Sequence, residues 1–251
     1  KDLLIRVEDT DIRSLTVTEV GALVKGKEGT YVSMTVLRQG TPETLSVQRR
    51  RVETPVATFE MLEDNIGLVT IANFDSRCAS ETIARIEELV SQGATSLIFD
   101  VRNNPGGYVD EMLPILDHLL PEGVLFRQED YQGNKIEKVS NAASLEMPMA
   151  VLVNGDSYSA AEFFAAALRE YEWARVVGEK TTGKGYYQMP FTLSDGSVVN
   201  LSVGKYLTPK GVNLTEAGGL TPDATVAVDK ETAEKISANG ISLENDPQIQ
   251  A

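Results

Sequence analysis

Short stretches of this chain alternate hydrophobic and polar residues, and other stretches repeat hydrophobic residues at helical spacing. Alternation predicts strands over residues 3–7, 31–38 and 45–49. Thr16 and Glu19 have the spacing of a capping box, which predicts a helix start, and Gly26 predicts the end of that helix. A turn at Gly40-Thr41-Pro42 completes a small strand–helix–hairpin unit over residues 1–51.

A second pattern begins near Val52 and is typical of a sheet covered by helices on both faces. Apolar spacing predicts a helix over residues 80–92, between a strand over 66–71 and the almost wholly apolar stretch 96–101. This order predicts a right-handed crossover between parallel strands. Further helices are predicted over residues 110–120 and 159–171, further strands over 149–153 and 175–178, and a hairpin over 186–193 and 198–206.

The chain is therefore predicted to be an α/β protein with a core over residues 52–228. The pattern weakens afterwards, and residues 229–251 are predicted to form a tail with a short helix or a loose end. No apolar stretch reaches the ~18 residues that a membrane-spanning helix needs. Lys1 begins directly in a strand pattern without a signal peptide, which we interpret as a removed leader or a start inside a longer protein.

Composition narrows the classes of function. The chain is 42% hydrophobic and 24% charged, as expected of a globular protein with a substantial core. A net charge of −14 argues against binding to nucleic acid or an anionic membrane, since both need a basic surface. Cys78 and His118 are the only residues of their types and form no metal-ligand spacing, so neither a metal nor another cofactor is predicted. His118 is interpreted as a helix-surface residue, so a serine enzyme here would use a lysine base.

The stretch from Asn154 to Gln188 contains the candidate chemistry. Ser159 begins a predicted helix, where free backbone amides and the helix dipole stabilise negative charge. At 100° per residue, Glu162 and Glu170 share the face of Ser159. A plain helix N-cap is the alternative role for Ser159, and Ser157 is a rival nucleophile.

Lys184 lies 25 residues after Ser159, in a loop between two glycines. A lysine acts as a base only where its surroundings destabilise the charged form. The glycines let the backbone bring the amine into a cleft, where Gln188 is placed to accept a hydrogen bond from it. A serine paired with such a base is suited to covalent attack on a carbonyl carbon. The alternative is an ordinary surface lysine in a glycine turn.

A second glycine loop, Gly106-Gly107, follows the apolar strand 96–101. Glycines there allow backbone amides to approach a ligand, and ligand sites of α/β sheets favour this end of the strands. The pattern of a phosphate-binding loop is absent. A sharp turn before the next helix is the alternative.

Four motifs stand in one order along the chain: L-I-F-D-V-R-N-N-P-G-G, then V-N-G-D-S-Y-S-A-A-E-F-F, then V-V-G-E-K-T-T-G-K-G-Y-Y-Q, then Y-L-T-P-K-G with G-L-T-P-D. They resemble the active-site region of the carboxy-terminal processing peptidases, also called tail-specific proteases. The opening D-L-L-I-R-V-E-D-T-D-I resembles part of a PDZ domain, and the alternative for this unit is a small α+β cap with no binding role. One departure from the family pattern is Tyr158, which stands where a small residue is usual.

The resemblance implies that Ser159 is the nucleophile, Lys184 its general base and Gln188 the residue that orients the lysine. The other implied site residues are, for the oxyanion hole, Gly106 or Gly107 with the Ala160 amide, and, as supporting residues, Glu162, Glu170 and Thr181.

The resemblance also implies a crotonase-like (ClpP/crotonase-type) protease core preceded by the C-terminal part of a PDZ domain. The implied activity is that of a serine endopeptidase outside the cytoplasm, in the bacterial periplasm, at the cell envelope or secreted. Its expected partners are proteins or peptides with accessible C-terminal tails. Self-association, and membrane proximity through a segment outside this chain, stay open. The alternatives are a catalytically silent, PDZ-containing peptide-binding or scaffold protein, and acyl-CoA chemistry on the same core.

Overall fold

The computed structural model describes residues 2–141, 143–238 and 242–251. The chain divides into two compact units, Lys1–Thr54 and Pro55–Ala251. None of the helices in the described ranges is long and apolar enough to cross a membrane.

The first unit is an antiparallel sheet with one helix. Its elements are β1 (Leu3–Val7), β2 (Thr10–Asp11), α1 (Val17–Val24), β3 (Tyr31–Arg38) and β4 (Thr41–Gln48), with the strands in the order β2-β1-β3-β4. The predicted capping box is confirmed, because the Thr16 side chain accepts from the Glu19 amide and the Glu19 carboxylate accepts from the Thr16 amide. Val7, Ile12 and Val32 form a small core under α1.

The hairpin turn of the first unit differs from the prediction. It consists of Gln39 and Gly40, both with positive φ (49° and 85°), so Thr41 and Pro42 belong to β4. A two-residue turn with positive φ at both positions matches the twist of the flanking strands. Pro42 is tolerated because β4 is an edge strand.

The second unit is built on a six-stranded sheet in the order β14-β11-β10-β7-β6-β5. Its strands are β5 (Ala57–Met61), β6 (Ile66–Ile71), β7 (Ser96–Asp100), β10 (Met149–Val153), β11 (Ala174–Gly178) and β14 (Ala224–Thr225). All neighbours are parallel except β5, which pairs antiparallel with β6. The predicted crossover between parallel strands is confirmed, with α2 (Cys78–Ser91) between β6 and β7. The α/β class is therefore confirmed.

A second, antiparallel sheet has the order β12-β13-β8-β9. Its strands are β8 (Gly123–Asp130), β9 (Lys135–Ser140), β12 (Tyr186–Thr192) and β13 (Val198–Leu207). The predicted β12–β13 hairpin is confirmed. The β8–β9 hairpin was not predicted, although its turn at Asp130–Asn134 is rich in polar residues and glycine.

Helix α4 (Ala160–Glu170) contacts β10 and β11 of the first sheet and β8 of the second. Nine consecutive residues, 160–168, are buried, which is possible because five of them are alanines that let neighbouring elements approach closely. Phe163 and Phe164 pack into aromatic clusters with Phe126 and Phe99, respectively. Helix α3 (Val109–Leu119) contacts α4 as well. Ala160, the first helical residue after the loop that follows β10, is therefore held in the packed core.

The C-terminal residues form α5 (Lys230–Ser237) and a further segment, 242–251. The helix agrees with the predicted short helix, but segment 242–251 is not a loose end. Its side chains Asp246 and Gln248 are only 1% and 2% exposed. Both contact the side chain of Arg102, two residues after the end of β7.

Candidate active site

Ser159 occupies a strained turn between β10 and α4. It is the N-cap residue of α4, and its backbone angles, φ 58° and ψ −125°, lie outside the regions that residues other than glycine normally adopt. A conformation of this kind costs about 1–3 kcal/mol and persists only where the surroundings impose it. The Ser159 amide donates to Glu162 Oε2 (2.8 Å). The turn thus presents the half-buried hydroxyl at the N-terminus of a buried helix.

Ser157, the rival nucleophile, has a structural role. It is fully buried, its Oγ donates to the Val101 carbonyl (2.7 Å), and it accepts from the Asn154 amide (3.0 Å). These bonds tie the loop after β10 to the end of β7. Cys78 is fully buried, and this burial raises the pKa of its thiol to about 12, as in structural cysteines.

The Gly106-Gly107 loop lies directly against the serine turn. Gly106 has φ +85°, and a Cβ added to it would lie 2.8 Å from the Ser159 Cβ and 3.0 Å from the Ala160 nitrogen. Gly107, with φ +147°, approaches the Phe74 carbonyl so closely that an added Cβ would lie 2.3 Å from that oxygen. The two predicted halves of the site, about fifty residues apart in sequence, are thus in contact.

The backbone hydrogen bonds distinguish the two glycines. The Gly106 amide donates to Asn104 Oδ1 (2.8 Å). In the described parts of the chain, neither the Gly107 amide nor the Ala160 amide donates to another protein group. Among the described residues these two N–H groups therefore have no protein acceptor, whereas that of Gly106 is occupied.

Gly106→Ala is expected to lower kcat at least about a hundredfold, because the methyl group would displace the Ser159 turn and the Ala160 amide. Gly196→Ala is the matched control, since Gly196 has the same φ of +85° in a hairpin turn with nothing within 4 Å of an added Cβ. Both variants carry the same backbone strain. Steady-state kinetics and thermal unfolding of both separate that strain from the contact with Ser159, and equal kcat values in the two variants would contradict the assignment.

Lys184 lies in the loop between β11 and β12, and a hydrogen bond from its backbone amide fixes this loop. The Lys184 amide donates to Glu162 Oε2 (2.8 Å), and its side chain is exposed. Nζ lies over the ring of Tyr158, 5.6 Å from the centroid. Among the described residues no hydrogen bond joins the side chains of Ser159 and Lys184. The structure thus brings the two backbones together and leaves the amine turned toward Tyr158.

A cavity of about 500 Å³ lies beside this lysine. Tyr158, Lys184 and Gln188 line it, with Gln188 in β12. Gln188 thus lines the same cavity as Lys184.

Glu162 connects the serine to the lysine loop. Its buried carboxylate accepts four hydrogen bonds. Oε2 accepts from the amides of Ser159 and Lys184, 2.8 Å from each nitrogen. Oε1 accepts from the Gly183 amide (2.7 Å) and from the Thr181 hydroxyl. One oxygen atom therefore fixes the backbone of both predicted catalytic residues.

Of the other two predicted supporting residues, Thr181 contacts Glu162 and Glu170 does not. Thr181 also accepts from the Leu220 amide (2.8 Å), which ties the G-L-T-P-D segment to the site. Glu170 lies away from the serine turn. It shares the rotational position of Ser159 on α4 but lies about 16 Å further along the axis. There it accepts from the Thr208 hydroxyl (2.6 Å) and the Lys210 amide (2.7 Å), so it holds the T-P-K-G turn and not the serine.

Asn104 is a site residue that the sequence analysis did not single out. It is fully buried, and its Nδ2 donates to the Ile71 carbonyl (2.7 Å) while Oδ1 holds Gly106. Its carbonyl accepts from the Tyr158 amide (3.2 Å). Its place in the R-N-N-P-G-G motif was the available signal, but the partners are distant in sequence.

Known proteins resemble this chain over most of its length. The profile of the family described as Peptidase family S41 matches residues 65–226. The carboxy-terminal processing protease CtpA of Bacillus subtilis (strain 168) is 34% identical over 214 residues, 84% of this chain and 46% of that protein. The carboxyl-terminal-processing protease of Synechocystis sp. is 33% identical over 234 residues, 90% of this chain and 54% of that protein. The chain thus spans about half the length of these curated relatives.

A solved structure agrees with these matches. The photosystem II D1 C-terminal processing protease has a TM-score of 0.64 at 28% identity, over 90% of this chain and 63% of that one. An α/β core with a serine turn against a glycine loop is thus the fold of a peptidase family, and the chain belongs to peptidase family S41. Within it, the predicted resemblance to the C-terminal processing peptidases is confirmed.

Proposed function

We propose that this chain is the catalytic part of a serine endopeptidase that cleaves proteins at or near their C-termini. The observation that supports it best is the sharing of Glu162 Oε2 by the Ser159 and Lys184 amides. Two residues 25 positions apart thus donate to one oxygen atom, and the Gly107 and Ala160 amides nearby donate to no other protein group among the described residues. A catalytically silent scaffold has no need of that arrangement.

The proposed reaction forms an acyl-enzyme. The Lys184 amine takes the proton of Ser159 Oγ, and Oγ attacks the scissile carbonyl carbon. The Gly107 and Ala160 amides stabilise the resulting oxyanion. The C–N bond then breaks, the leaving amine receives the proton from Lys184, and water releases the acyl group from Ser159 in a second round of the same chemistry.

In this proposal Lys184 changes position before the reaction. Its amine is exposed and lies over Tyr158, so it rotates toward Ser159 when a peptide fills the adjoining cavity. The peptide also removes water from the amine, which disfavours the charged form that cannot act as a base. Gln188, in the same cavity, would then orient the amine.

The wider assignments rest on the relatives. We propose a crotonase-like description for the second unit and the C-terminal part of a PDZ domain for the first. The names of the B. subtilis and Synechocystis relatives support protein substrates with accessible C-terminal tails, and an extracytoplasmic location is inferred from the same resemblance. Family membership makes acyl-CoA chemistry the weaker alternative.

Covalent labelling tests the nucleophile. A fluorophosphonate probe is expected to form one adduct, on Ser159, identified by mass spectrometry of the digested protein. Ser159→Ala is the unlabelled control. An adduct on Ser157, or none on the folded protein, would contradict the proposed nucleophile.

A further inference from the structure

Arg102 is a buried cation at the point where β7 enters the glycine loop. Its side chain is only 3% exposed. Nε and Nη2 donate to the two carboxylate oxygens of Asp100 (2.9 and 2.6 Å), and Nη1 lies 2.8 Å from Asp246 Oδ2 and 3.0 Å from Gln248 Oε1. Every guanidinium nitrogen thus has an acceptor. Burial alone would lower the pKa of Arg102, but the bonds and charges of Asp100 and Asp246 outweigh it and raise the pKa.

Two of these acceptors come from segment 242–251, far from the site in sequence. Asp246 is 1% exposed, and its Oδ1 accepts from the Gln248 amide (3.0 Å), which fixes the local turn. Gln248 Nε2 donates to the Val226 carbonyl (2.7 Å), just after β14. Hydrogen bonds within the segment and to Val226 therefore fix the Asp246 and Gln248 side chains that contact Arg102.

Arg102 is in turn the second residue after β7, near the start of the loop that carries the proposed oxyanion amide. The next residue, Asn103, has φ 57° and exchanges two 2.9 Å hydrogen bonds with Asn154, in the loop before Ser159. Asn104 then holds Gly106 and the Tyr158 amide. A shift in the position of Arg102 would therefore move both the glycine loop and the loop that precedes Ser159.

We propose that segment 242–251 positions the active-site glycine loop, with Asp246 and Gln248 acting as positioning residues through Arg102. This inference deepens the proposed function and rests on it. Arg102 cannot itself serve as the test, because its removal leaves two buried carboxylates without a counter-charge and would unfold the unit. Removing the Asp246 charge leaves the Arg102–Asp100 pair balanced, so the fold is expected to survive.

Asp246→Asn in the full chain is expected to lower kcat about tenfold, the effect of a loss of ~1.4 kcal/mol of transition-state stabilisation, with KM unchanged. Glu244→Gln is the matched control, an exposed acid of the same segment, and is expected to match wild type. If Asp246→Asn does not fold, Gln248→Met removes the neighbouring contact and is expected to shift kcat in the same direction. Unchanged kcat in a folded variant would overturn the proposal, even if its melting temperature falls.

Hydrogen exchange separates this inference from the proposed function. The Asn103 amide donates to Asn154 Oδ1 and the Gly106 amide donates to Asn104 Oδ1. In Asp246→Asn, both amides are expected to exchange faster than in Glu244→Gln. That measurement needs no proteolysis, so it stands if the wild-type chain cleaves no peptide. Equal exchange in both variants would overturn the positioning role whatever the activity.

Discussion

Ser159→Ala and Lys184→Ala are each expected to lower kcat about a thousandfold or more, since nucleophile and base act as one unit. Both variants should fold. The hydrogen bonds that hold these residues come from their backbone amides to Glu162, and a side-chain substitution leaves them intact. Cleavage of a fluorogenic peptide and circular dichroism of the same preparations check both statements.

Three controls make this prediction specific. Lys180→Ala removes an exposed lysine of the same loop and should retain wild-type kcat. Lys184→Arg keeps a positive charge beside Tyr158 but removes a group able to lose its proton, so it should be as inactive as Lys184→Ala. Ser157→Ala leaves the Val101 carbonyl and the Asn154 amide without their partner. It should lower the free energy of unfolding by about 1–3 kcal/mol and keep the label on Ser159.

Activity in Lys184→Arg would show that the charge, and not proton transfer, is what the reaction needs. Activity in Ser159→Ala would move the nucleophile elsewhere and end the assignment.

Local patterns predicted most of the elements because their signals lie within a few residues. The capping box at Thr16 and Glu19, the helices and the parallel crossover all depend on spacing along one segment. The β8–β9 hairpin was missed because much of its surface is polar, and its place in a sheet comes from pairing with β13, far along the chain. The burial of Asp246 was missed for the same reason, since its partner Arg102 is distant in sequence.

In the site, too, sequence motifs indicated which residues are candidates, whereas the contacts between these residues depend on the tertiary fold. Motifs singled out Ser159, Lys184 and the glycine pair as candidates. Helical periodicity placed Glu170 on the face of Ser159, but it gives only the rotation around the axis and not the distance along it, so it did not show that Glu170 holds the turn at Thr208. Spacing did not choose between Gly106 and Gly107. Only the bond from Gly106 to Asn104 separates them, and Asn104 is buried among groups that meet through the tertiary fold.

Glu162→Gln is expected to lower kcat about a hundredfold, and to lower the free energy of unfolding by about 1–3 kcal/mol for each buried amide left without an acceptor. A carboxylate accepts all four bonds, whereas an amide side chain has a single acceptor oxygen. If its nitrogen takes the place of Oε2, the Ser159 and Lys184 amides both face a donor. If it takes the place of Oε1, the Gly183 amide does.

Glu170→Gln is the control for this prediction. Glu170 lies on the same helix and also accepts from a hydroxyl and an amide, but it holds the turn at Thr208. Its variant should lose stability with kcat unchanged, whereas Glu162→Gln should lose both. Urea unfolding and steady-state kinetics of the pair separate the two effects. A Glu162→Gln enzyme with wild-type kcat would show that the shared oxygen stabilises the fold without positioning the serine and the lysine for reaction.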